Sequence, residues 1–136
     1  MKAIAGTGFL VAFGNRNDFH HAWALQIAGR ITEPLLTCGA VLAETAFHLG
    51  SGALVLAFLR NGMVRSAFTL SEHAGRLAEL AERYANRKPG LADLCLILLS
   101  ELHPRYPVIT TDLADFRMYR RGRLEIIPLL HPPERQ

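Results

Sequence analysis

The chain has 136 residues, half of them hydrophobic, with 15 basic and 12 acidic residues and a net charge of +3. That length suits one ordinary domain with a sizeable core, and the apolar content excludes a disordered or low-complexity chain. The mild positive balance is compatible with a polyanionic partner and does not demand one.

Thirteen of the basic residues are arginine, a side chain suited to bidentate phosphate contacts. The two cysteines, Cys38 and Cys95, fall inside apolar runs and read as buried free thiols of a reducing compartment. No basic, apolar and cleavage-site succession opens the chain. The most apolar region, 35–59, carries Glu44 and His48 and is broken at Gly50-Ser51-Gly52. It therefore predicts core helices rather than a membrane span, and a cytoplasmic protein is expected.

Residues 2–6 predict a short buried strand, followed by a helix over Phe9–Phe13 that ends near Gly14-Asn15. Asp18 is placed as the N-cap of a second helix, "FHHAWALQIAG", stopping at Gly29. "EPLLTC" predicts strand two. "GAVLAETAFHLG" and "SGALVLAFLRNG" predict two helices punctuated by glycines, and "MVRSAFTL" a third strand. Ser71 and Glu72 open a long amphipathic helix through Tyr84, and "NRKPG" is a turn. "LADLCLILLSELH" predicts an apolar helix, "YPVITTD" a fourth strand, "LADF" a short turn or helix and "GRLEIIPL" a last strand. The expected organisation is one domain over 1–130 with a loose tail over 131–136.

Short apolar strands alternating with helices predict the α/β class: a three-layer α/β/α sandwich on a mostly parallel sheet. Function in such sheets sits at the carboxyl ends of the strands. Glu44, Asp93, Asp112 and Asp115 fall there, none with a basic partner at helical spacing. Clustered carboxylates repel unless a cation neutralises them, and an all-oxygen set suits Mg²⁺ or Mn²⁺. Taken singly, each acid is equally a cap or a solvated charge; Asp93 in a helix first turn needs no chemistry to be favourable. His20-His21 point about 100° apart on a helix and chelate poorly. Glu44 and His48, at i and i+4, lack a third ligand, so His48 reads as a packing or capping residue. Trp23, spaced with Phe19 and Ile27, reads as core. The run "RMYRRGR" offers Arg117, Arg120, Arg121 and Arg123 for phosphates and Tyr119 for stacking on a base, or else is a solvated hairpin edge.

Four stretches in order, "GTGFLVAFGNRNDFHHAWA", "VLAETAFHLG", "LADLCLILLSEL" and "VITTDLADF", together resemble the PIN domain, and within it the VapC-type toxins of bacterial toxin–antitoxin pairs. The resemblance covers essentially the whole chain. It implies an Mg²⁺- or Mn²⁺-dependent ribonuclease acting on single-stranded or loop RNA, a homodimer, and a small antitoxin that plugs the active site. Glu44, Asp93 and Asp112 match ligand positions, Asp115 a ligand or supporting position, and Thr7 and Thr110 supporting positions. The departure is Gly6, which stands where such proteins carry their first ligand aspartate. It implies severely reduced cleavage. The other implied reading is an inactive PIN fold that binds RNA or protein. A small-molecule hydrolase would instead show a deep apolar pocket at the acids.

Overall fold

The central sheet is built from runs too short to bury anything but themselves. In the computed structural model, which describes residues 1–134, β1 (Ile4–Ala5), β2 (Leu35–Thr37), β3 (Val64–Ser66), β4 (Val108–Ile109) and β7 (Leu129–Leu130) form one sheet in the order β3-β2-β1-β4-β7. Every pairing in it is parallel, with Ile4 opposite both Leu36 and Val108. β1, β2 and β4 are buried throughout, as strands covered on both faces must be. The Thr37 hydroxyl donates to the Ala5 carbonyl at 3.2 Å and ties β2 to β1.

The helices are α1 (Thr7–Gly14), α2 (His21–Ala28), α3 (Gly39–Leu49), α4 (Gly52–Arg60), α5 (Ala74–Arg83), α6 (Leu91–Leu102) and α7 (Leu113–Met118). α6 is the spine of the core. Except for Asp93, every residue from 92 to 100 is buried, and the helix packs on β1, β2, α3 and α5. α1 packs on α2 and α3, with Trp23 set edge-on to buried Phe9 at 6.1 Å, as core packing predicts. The expected α/β/α arrangement is what forms.

Local chemistry moves several boundaries. α1 starts at Thr7, two residues before the expected Phe9. Asp18 does not cap α2: its carboxylate accepts from the His20 N–H at 2.9 Å, closing a turn before the helix begins at His21. The long helix expected from Ser71 starts instead as a 3-10 turn over Leu70–His73. There the Thr69 hydroxyl bonds the Glu72 carboxylate, and α5 follows. The expected last strand is two strands. Gly122, at φ +55, reverses the chain between β5 (Arg120–Arg121) and β6 (Glu125–Ile126), an antiparallel hairpin, before β7 rejoins the sheet beside β4.

That hairpin is moored to α6. Glu101 accepts from Arg76 at 3.0 and 2.5 Å and from the Gly122 N–H at 2.9 Å, and Arg76 also reaches the Gly122 carbonyl. Of the tail expected over 131–136, Glu134 pairs with Arg117, while 135–136 lie outside the described residues. Cys38 and Cys95 are buried and unbridged, as expected. Among the described residues no helix is long and apolar enough to cross a membrane.

Candidate metal centre

The end of β4 turns sharply because its polar side chains bond their own backbone. The Thr110 hydroxyl accepts the Asp112 N–H at 2.9 Å. The Asp112 carboxylate then accepts the Asp115 N–H at 3.2 Å and so caps α7. This fixes Asp112 and Asp115 together at the carboxyl edge of the sheet. α6 begins across from them and presents Asp93 in its first turn. One carboxylate oxygen from each of Asp93, Asp112 and Asp115 lies within 4.8 Å of the others. Glu44, from α3, lines the same cleft of about 320 Å³, together with Thr7 and Thr110.

The electrostatics follow from the crowding. Burial, helped by Asp112, Glu44 and Asp115, pushes the Asp93 carboxyl up to about 6, while the Tyr119 hydroxyl, donating to it at 3.1 Å, pulls the other way. Burial also raises Asp112, with Asp115 adding to the rise; the Asp115 N–H and Arg87 oppose it. Tyr119 is held in its protonated form by burial and by Asp93. A carboxyl raised in this way is ionised at a cost to the fold, and that cost appears as pH climbs through about 4 to 6. A cation must displace the same proton. Mn²⁺ affinity is therefore expected to be level above pH 7 and to fall about tenfold per pH unit below pH 6, read by calorimetric titration at several pH values. A level profile down to pH 5 would take Asp93 out of the site.

The donor set fits a hard divalent cation. Every side-chain donor is oxygen, and the Thr7 hydroxyl on the cleft wall is buried with no hydrogen-bond partner among the described residues. What the set lacks is a side chain at the end of β1. Gly6 is buried there, its N–H donating to the Ile109 carbonyl at 3.0 Å. A Cβ on Gly6 would stand 2.8 Å from that oxygen, and one on Gly8 would stand 2.0 Å from the Thr111 hydroxyl. At Gly6, between β1 and α1, the obstacle is backbone; at Gly8, inside α1, it is the Thr111 side chain.

The same architecture occurs in a toxin. Mycobacterium tuberculosis VapC20, described as a sarcin–ricin loop cleaving toxin, superposes with a TM-score of 0.66 at 20% identity, over 78% of this chain and 86% of that one. The fold is PIN-like. No family model and no curated protein matches the sequence.

Within this PIN-like fold, the basic run that begins in the last turn of α7 is largely occupied. Arg117 pairs with Glu134. Arg120 donates to the carbonyls of Arg117 and Tyr119 at 2.5 and 3.0 Å. Arg121 donates to the Ser100 carbonyl and hydroxyl and to the Pro104 carbonyl, and lies 3.5 Å from Glu125. Arg123 is exposed. Tyr119 is 1% exposed and cannot stack on a base; its apolar ring completes the cluster of Tyr84 and Phe116 while its hydroxyl serves Asp93. His21 bonds the Ala12 carbonyl and fastens α2 to α1. The sequence reading missed the cleft-facing places of His20 and His48. The four-residue spacing of Glu44 and His48 was the available signal for the second.

An apolar cavity of about 550 Å³ between Phe13, Ile31, Phe58 and Met63 is lined by none of the four acids. Glu44, Asp93 and Asp112 line a separate, more polar cleft, so the pattern of a small-molecule hydrolase is not met.

Proposed function

We propose that this chain is a VapC-like endoribonuclease with an incomplete metal site, hydrolysing phosphodiester bonds of single-stranded or loop RNA slowly. The observation that carries the reading is the convergence of Asp93, Asp112 and Asp115 within 4.8 Å at the carboxyl edge of a parallel sheet. Glu44, Asp93 and Asp112 would hold Mg²⁺ or Mn²⁺, with Asp115 as a further ligand or as the support of Asp112, and Thr110 fixing the turn. When bound, such an ion supplies Lewis-acid activation and charge neutralisation for phosphodiester hydrolysis. The chain's own part is to hold the carboxylates in place: Tyr119 orients Asp93 through its hydroxyl, and the Asp115 N–H orients Asp112. Thr7 offers its unpaired hydroxyl to whatever occupies the cleft. The working unit in this reading is one domain over 1–130, a cytoplasmic homodimer silenced by a cognate antitoxin.

A second reading, an inactive PIN fold that binds RNA or a protein, is favoured by one observation. The space that side chains at positions 6 and 8 would need is taken by the Ile109 carbonyl and by Thr111. Incubating the chain with a mixed single-stranded RNA pool, with Mg²⁺, with Mn²⁺ and with EDTA, separates the two. Slow cleavage that EDTA stops is expected. RNA binding without any cleavage supports the second reading.

A further inference from the structure

We propose that single-stranded RNA crosses the acidic cleft on a track whose cations are Arg87 and Lys88 on one lip and Arg16 on the other, with a nucleotide seated between the loop at 15–17 and His48. This rests on the RNA-cleaving reading of the site and names how that site grips its substrate. Four observations converge on it.

The acidic cleft does not end at His48. A second cavity of about 330 Å³, lined by Gly14, Asn15, Arg16, Asn17, His48 and Leu49, adjoins it through that residue. The loop forming the second cavity is already fixed. The Asn15 carboxamide oxygen accepts the Asn17 N–H at 3.0 Å, and the Asn15 carbonyl accepts the Asp18 N–H at 3.0 Å. A preorganised loop that presents a guanidinium and carboxamides can take a phosphate and read a base edge without first being ordered.

On the opposite lip, the turn before α6, which carries Arg87 and Lys88, lies against the acids: a Cβ on Gly90 would stand 4.0 Å from the Glu44 carboxylate. Arg16, Arg87 and Lys88 are all exposed, and among the described residues none has a carboxylate within ion-pair distance. By contrast Arg117, Arg120 and Arg121 are spent on the fold.

Phosphates approaching a ring of carboxylates need cations on either side of it, and this distribution supplies them. Single-strand binders also need a face on which bases stack. Phe47, 81% exposed, lies edge-on to His48 with ring centroids 5.5 Å apart, and it is His48 that lines both cavities.

The test is fluorescence anisotropy of a short fluorescein-labelled single-stranded RNA of mixed sequence, titrated with the full chain in Mg²⁺ over a range of salt. Arg16→Ala with Asn17→Ala, and separately Arg87→Ala with Lys88→Gly, are each expected to weaken binding about 5- to 20-fold. Each is also expected to reduce the salt slope by about one unit per cation removed. Phe47→Ala is expected to weaken binding about fivefold with the slope unchanged. Arg60→Ala, on the far end of α4, is the control and leaves binding as it is. If the parent chain binds and the paired variants match Arg60→Ala, the track is overturned, the RNA-cleaving reading stands, and the groove is left to a protein partner. If the parent chain neither binds nor cuts RNA, both fall together.

Discussion

Gly6→Asp raises Mn²⁺-dependent RNA cleavage by at least about a hundredfold over the parent chain, the scale on which metal sites respond to a lost or regained group. The same substitution lowers the melting temperature in EDTA. A Cβ at position 6 meets the Ile109 carbonyl at 2.8 Å, so the end of β1 must move away from β4, and overpacking of that kind costs about 1–3 kcal/mol. A fifth carboxylate then crowds a site where burial and its neighbours already raise Asp93 and Asp112. For a chain of this size the sum corresponds to a fall of roughly 3–10 °C. Gly6→Ala separates the two effects. It carries the steric cost without the ligand, so it melts lower and cuts no faster. A Gly6→Asp protein that folds, binds Mn²⁺ and still fails to cut faster than the parent would move the account to the binding-module reading.

Asp93→Asn acts in opposite directions on metal binding and on stability. Asparagine keeps the shape and can still accept the Tyr119 hydroxyl, which lies 3.1 Å from the carboxylate. It removes the charge from a half-buried acid that is less exposed than Asp112. Mn²⁺ affinity is expected to fall by about a hundredfold or more. The metal-free protein is expected to gain about 1–2 kcal/mol at pH 7.5, because ionised Asp93 opposes folding there. The gain shrinks as pH falls through 6, is small near pH 4, and vanishes only below the unfolded value of 3.8, where the wild-type carboxyl is protonated in both states. Melting curves at pH 7.5 and 4.5, with EDTA and with Mn²⁺, read all of this. An Asp93→Asn protein that is less stable than the parent at pH 7.5 in EDTA would mean that Asp93 holds the fold rather than a cation.

The fold was largely legible because each strand is a short apolar run and each helix is punctuated. Cys38 and Gly50 bracket α3 almost as read, and Gly90 opens α6 where the run "LADLCLILLSELH" implies. What was not legible is where side chains compete with the ladder. Thr110 takes the Asp112 N–H and cuts β4 to two residues, and the Thr69–Glu72 bond turns the expected start of α5 into a 3-10 turn. Gly122 was visible as a glycine, yet whether "RGRLEIIPL" made one strand or a hairpin and a strand depended on the distant Arg76 and Glu101. Three of the candidate acids could be grouped from the sequence because two sit within one turn and the third opens a helix. The burial of Tyr119 and its bond to Asp93 could not, since 26 positions separate them. The occupation of the basic run was hidden for the same reason: its partners, Ser100, Pro104 and Glu134, lie 17 to 21 positions away.

The most direct measurement is a calorimetric titration of Mn²⁺ into the chain and into Asp93→Asn at pH 7.5. Saturable binding in the parent that the single substitution removes is the predicted result, and it holds whether or not Gly6 leaves the site able to cut. No heat of binding in the parent, or the same isotherm in both proteins, would contradict a metal centre built on Asp93, Asp112 and Asp115.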